Sequence, residues 1–137
     1  MEYCWKEIPD MYFTLNNGTL IGANLKLKSF NESYTNNFRE PWFLKVEEVV
    51  SDFDLIDTLL DIPFDIYTCT IVNKYSSGES IEIWHKYSSA EISEMDRTVE
   101  SDGIQASFFE VFMARNREQV NSKDLPEDII NFLSKKN

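Results

Sequence analysis

Residues 12–30, YFTLNNGTLIGANLKLKSF, alternate apolar and polar side chains on either side of Asn17-Gly18, a pair suited to positive φ. The pattern predicts a β-hairpin. In its second arm Ile21, Ala23, Leu25 and Leu27 share one parity, and Asn24, Lys26 and Lys28 share the other, as in a half-buried strand. Residues 31–41 are polar up to Pro41 and read as a loop, and WFLKVEEVV that follows reads as a strand. From Ser51 the period changes. At 100° per residue Phe53, Leu55, Ile56, Leu59 and Leu60 fall on one arc and Asp54, Asp57 and Asp61 on the opposite side, which predicts a short helix capped by Ser51 and stopped by Pro63.

Residues 65–87 carry the clearest signal: DIYTCTIVNKY and ESIEIWHKY flank SSG and predict a second β-hairpin. SSAEISEMDRTVE then suits a short helix, with a Ser88/Glu91 capping box and a thin stripe of Ile92, Met95 and Val99. GIQASFFEVFM reads as a strand whose apolar parity switches after Phe108, implying either a bulge or a strand covered on both faces. DLPEDIINFLSKK predicts a C-terminal helix, with Asp124 as cap, Pro126 in the first turn and Lys135 and Lys136 near the end. The order implies one α+β domain spanning residues 1–137, a mainly antiparallel sheet with a central β-hairpin, short helices and a C-terminal helix.

Charge changes this picture by its distribution. The chain is net −11, yet residues 1–45 are balanced, residues 46–78 and 79–114 are each net −6, and residues 115–137 are net +1. Residues 46–65 alone hold seven carboxylates and no Lys or Arg. Such a chain is ill suited to nucleic acid or to an anionic membrane, both of which demand cations, and suited to a basic partner steered toward the middle segment. The 19 aromatic residues can build a core without metal or disulfide. The N-terminal MEYCWKEIPD carries acids where a signal peptide needs bases, and no run of eighteen apolar residues occurs, so a cytoplasmic protein is expected. In that setting the glycosylation patterns at Asn17 and Asn31 are coincidental, and Cys4 and Cys69 are expected to be reduced and unpaired.

Candidate chemistry is sparse. His85 is the only imidazole, and no nucleophile or partner stands beside it in the sequence. Asp52-x-Asp54 followed by Asp57 resembles the start of a calcium loop, but the sixth and twelfth positions are Asp57 and Pro63 where Gly and Glu are required. No Walker, GxGxxG or HExxH motif occurs, so the expectation is a non-enzyme without cofactor or metal. Acids interleaved with an aromatic suggest a binding surface instead. The residues singled out are Asp54, Asp57, Asp61 and Asp65, then Glu82 with Trp84 on what reads as a polar strand face, and Glu91 and Glu94.

In size, charge and element order the chain resembles the immunity proteins of bacterial toxin systems, including those of contact-dependent growth inhibition. The resemblance is carried by the hairpin CTIVNKYSSGESIEIWHKY and the closing strand and helix. It implies a protein, monomeric when free, that binds one cognate toxin domain, usually a basic nuclease, and blocks it. The alternatives are a phage-type inhibitor whose carboxylates stand in for nucleic-acid phosphates, and a small enzyme built on His85.

Overall fold

The computed structural model describes residues 3–5, 8–23, 26–36, 39–49, 53–74, 76–99, 101 and 106–135, with the backbone alone for Tyr3–Trp5, Lys26, Val49, Phe53, Asp54 and Ala106. Five strands come first: β1 (Tyr3–Trp5), β2 (Asp10–Thr14), β3 (Leu20–Ala23), β4 (Lys26–Tyr34) and β5 (Trp42–Val49). Helix α1 (Phe53–Asp61) leads into β6 (Phe64–Lys74), β7 (Ser80–Val99), β8 (Ala106–Ala114) and β9 (Asn116–Val120), and helix α2 (Glu127–Lys135) closes the chain.

All pairings are antiparallel and join into one sheet of order β3-β2-β6-β7-β8-β5-β4, with β1 beside β6 and β9 beside β7. The 20-residue β7 is its spine. Its first part pairs with β6 and β9, and its second part pairs with β8, so the sheet has two halves that share one long strand. At the junction Ser89 takes φ +54, and the register with β6 slips between Phe64 and Ile66. A left-handed residue interrupts the pleat and bends the strand there. The buried Asp65 carboxylate accepts the Ser89 backbone N–H at 3.1 Å and secures the corner.

The bend folds one half over the other. Met11, Phe13 and Ile66 of the first half meet Leu44, Val46 and Phe112 of the second in one interior cluster. Edge residues Ile21 of β3 and Leu27 and Phe30 of β4 pack against the same cluster. Phe13, Phe64 and Phe112 contact one another at ring centroids 5.5–5.9 Å apart, each burial being worth about 1.5–3 kcal/mol. Helix α1 inserts Leu55 and Leu59 into this interior and leaves Asp57 and Asp61 exposed, while Leu60, at the margin of the predicted arc, is 48% exposed. Leu55 lies so close to β3 that a Cβ on Gly22 would sit 2.4 Å from its Cδ1. Helix α2 covers the other side of the first half, where Ile129 and Leu125 pack with Tyr12, Tyr67, Cys69 and Trp84.

The fold is a mainly antiparallel sheet with two helices, one of them C-terminal, and is richer in strand than the α+β reading implied. The second hairpin forms, and β2 and β3 pair around the first turn, with Gly18 at φ +92 and Gly78 at φ +72, the positive φ that glycine adopts without steric cost. The second arm expected to run through Phe30 is instead divided: β3 ends at Ala23, and β4 from Lys26 pairs with β5 at the opposite edge of the sheet. Two more expectations are corrected. Residues 31–41 are not all loop, because β4 continues to Tyr34 and takes its hydrogen bonds from β5, with Tyr34 opposite Trp42. The helix expected over 88–100 is instead the second part of β7: pairing with β8 from Glu91 to Val99 overrides a capping-box pattern whose apolar stripe was too thin to bury a helix. Asp124 lies in a 3-10 turn, Ser122–Asp124, ahead of α2, and Ser51, the expected cap of α1, is outside the described residues.

Candidate functional site

The expected partner-binding residues separate into two groups. Asp57, Asp61, Glu91 and Glu94 are exposed, and none of them takes part in the described salt bridge, which joins Arg117 to Glu32. They lie on adjoining elements, since α1 packs against β7, and Asp57 shares a cleft of about 270 Å3 with Met95, Arg97 and Phe108. Glu82 is also exposed, on the other half of the sheet. The Asp54 side chain is outside the described residues. Trp84 and Asp65 are corrections. Trp84 is 2% exposed because its strand face, polar by sequence, is the one α2 covers, and its indole N–H donates to Glu82 at 3.3 Å. Asp65 is 7% exposed and committed to the β7 corner. Neither can meet a partner.

A second acidic feature was not anticipated. Glu48 of β5 and Glu110 of β8 are both 0% exposed, on the inward parity of their strands, and their carboxyl oxygens have no hydrogen-bond partner among the described residues. Glu48 stands opposite Phe108, and Glu110 opposite Val46, so the two acids are diagonal neighbours across one strand pair. They face each other without a formed hydrogen bond, near enough that each perturbs the other's ionisation. Burial drives both toward the protonated form, and proximity to Glu48 helps push Glu110 up to about 10. Burial and the neighbouring acid thus favour the uncharged form of Glu110. The sequence signal was the parity switch after Phe108. Even positions of β8 point inward throughout, Phe108, Glu110, Phe112 and Ala114 all being buried, so Glu110 breaks the apolar run without any bulge in β8. The register shift lies in the partner strand, between Ile92 and Glu94.

The third cluster links the halves. The Arg117 Nε of β9 donates to Glu32 of β4 at 2.7 Å, the Tyr87 hydroxyl donates to the same carboxylate, and the guanidinium lies 5.0 Å from the Trp42 ring centre. Burial and the bond to Glu32 raise the Tyr87 hydroxyl pKa, so it stays protonated. His85 is half-buried nearby, its ring 6.5 Å from that of Tyr87, and burial and then Arg117 lower its pKa against the pull of Glu32. The arrangement ties β4 to β9 with its polar groups already engaged, and His85 has no hydroxyl or thiol nucleophile at hydrogen-bond distance among the described residues. Among the described residues no group of three His, Cys, Asp or Glu gathers as a metal site, and no helix is long and apolar enough to cross a membrane.

Comparison of the chain with protein-family models, with curated proteins and with solved structures finds no match.

Proposed function

We propose that this protein is a binding module that captures and neutralises a basic partner protein, in the manner of the immunity proteins its sequence resembles, with a nuclease toxin domain as the partner class. The observation that carries the reading is the set of exposed carboxylates Asp57, Asp61, Glu91 and Glu94, in no described salt bridge, on two packed elements. Four exposed carboxylates with only Arg97 close to them among the described residues, beside Asp57, favour a complex with a cationic surface. A nuclease is such a surface, because its substrate is a polyanion. The module acts by occupancy, without chemistry of its own, in the cytoplasm where the toxin would act.

The test is retention of proteins from the native host on the immobilised chain at low and high salt, followed by nuclease assay of what salt elutes. A basic nuclease that is retained, inhibited stoichiometrically, and lost on the variant Asp57→Asn/Asp61→Asn/Glu91→Gln/Glu94→Gln is the expected result. Retention that ignores both salt and these four substitutions would overturn the reading. Competition by heparin separates a genuine basic partner from the phosphate-mimicry alternative only in its target: there the displaced protein is a nucleic-acid-binding protein that is no toxin.

A further inference from the structure

Alternation along the second half-sheet sends one parity into the core and the other outward. Leu44, Val46, Phe112 and Ala114 are buried inside, so Phe43, Lys45 and Glu47 of β5 and Phe109, Val111 and Met113 of β8 face away from it. The register aligns these residues in three rows. Phe43 is opposite Met113, which is opposite Glu91; Lys45 is opposite Val111, which is opposite Glu94; Glu47 is opposite Phe109, which is opposite Asp96. Directly opposed residues share a face, so an apolar strip of Phe43, Phe109 and Met113 around Val111 is bordered along β7 by Glu91, Glu94 and Asp96 and along β5 by Lys45 and Glu47. The border residues are exposed, Phe43, Phe109 and Met113 are half-buried, and Val111 is buried between them. The corresponding face of the first half is covered by α2, and α1 is spent on the interior. No described helix covers this one.

We propose that this outer face is the docking surface for the captured protein, and that its occupant presents an apolar centre ringed by Lys and Arg. The inference rests on the partner-capture reading and names the surface that performs it. Charge decides the occupant. A second copy of this chain would bring the same acidic border against itself, and a nucleic acid or anionic lipid would be repelled. A cationic protein surface with an apolar middle satisfies both features at once. Two strand spacings by four residues give a patch of roughly 10 Å by 14 Å, about a sixth of the ~800 Å2 that one partner contributes to a standard interface. The face is therefore the centre of the contact, with Glu91, Glu94 and Asp96 as its border.

Two octapeptides test the chemistry directly: alternating Arg-Leu and alternating Arg-Ser, equal in charge and differing in apolar content, titrated by fluorescence anisotropy. The expected result is Arg-Leu binding about tenfold tighter than Arg-Ser. Phe109→Gln/Met113→Gln should erase that preference. Glu91→Gln/Glu94→Gln/Asp96→Asn, all at exposed positions that leave folding intact, should weaken both peptides about tenfold, and Asp10→Asn on the other half should change nothing. Equal affinities for the two peptides, or a preference that survives the face variants, would overturn the surface. The host protein separates this from the broader reading. If it is released by Asp57→Asn/Asp61→Asn but not by the face variants, capture stands and this surface falls. If the peptides obey the face but no basic host protein is found, the surface stands and the capture reading falls.

Discussion

Removing the buried acid at position 110 should make the protein more stable, and more so the higher the pH. Glu110 ordinarily titrates at 4.5 and in the fold at about 10, with burial the main cause and Glu48 the second. Between those values the folded chain holds a proton that the unfolded chain releases, so stability falls as pH rises across this window. Each pH unit costs about 1.4 kcal/mol per group. From pH 5.5 to pH 8 the Glu110 carboxyl alone therefore withdraws up to about 3 kcal/mol, a shift of up to roughly 10 °C in midpoint for a chain of this size. Glu110→Gln keeps the shape, removes the titration and lets the amide donate to Glu48. Urea unfolding at pH 5.5, 6.5, 7.5 and 8 on both proteins measures the difference directly; groups away from the pair, including His85 with its lowered pKa, cancel, and what remains belongs to the coupled Glu48–Glu110 pair. The variant's advantage should grow with pH by about 1 kcal/mol per unit. A difference that stays constant across this range would show that Glu110 is already ionised in the native protein, and the account of the pair would be wrong.

Three further outcomes follow from the packing. Gly22→Ala should destabilise by about 1–3 kcal/mol in urea unfolding, because its Cβ collides with the core side chain of Leu55 at 2.4 Å; an unchanged midpoint would mean that α1 can move away from β3. Arg117→Lys should cost about 1–2 kcal/mol although charge is kept, since an ammonium loses the planar contact with Trp42 and the Nε bond to Glu32, and a double-mutant cycle with Glu32→Gln should show the coupling. Cys69 is a free buried thiol, pushed up to about 12 by burial and then by Glu82 and Asp10; it should resist a thiol reagent in the native protein and react at once in denaturant, and rapid native labelling of Cys69 would refute its burial under α2.

What the sequence by itself determined is the set of elements whose signals are local. The turns at Asn17-Gly18 and Gly78 need only a glycine that tolerates positive φ, and α1 and α2 need only an apolar arc within a few turns. Exposed Asp57, Asp61, Glu91 and Glu94 were legible for the same reason, as was the uneven charge. Tertiary structure decided everything that depends on which distant surface lies opposite. Ser88 to Val99 carries a local helix-start pattern, and only the ladder offered by β8 turns it into strand. Trp84 reads as exposed beside Glu82 until α2, from the far end of the chain, covers its face. Glu110 and Glu48 are unremarkable acids in sequence, and become a coupled buried pair only because β5 and β8 are neighbours with both side chains turned into the interior. The apolar centre at Phe43, Phe109, Val111 and Met113 was half visible as a parity switch in one strand. Its acidic border required the register of β7 against β8, because a period of two tells which residues share a face of one strand and nothing of what stands beside them in the next.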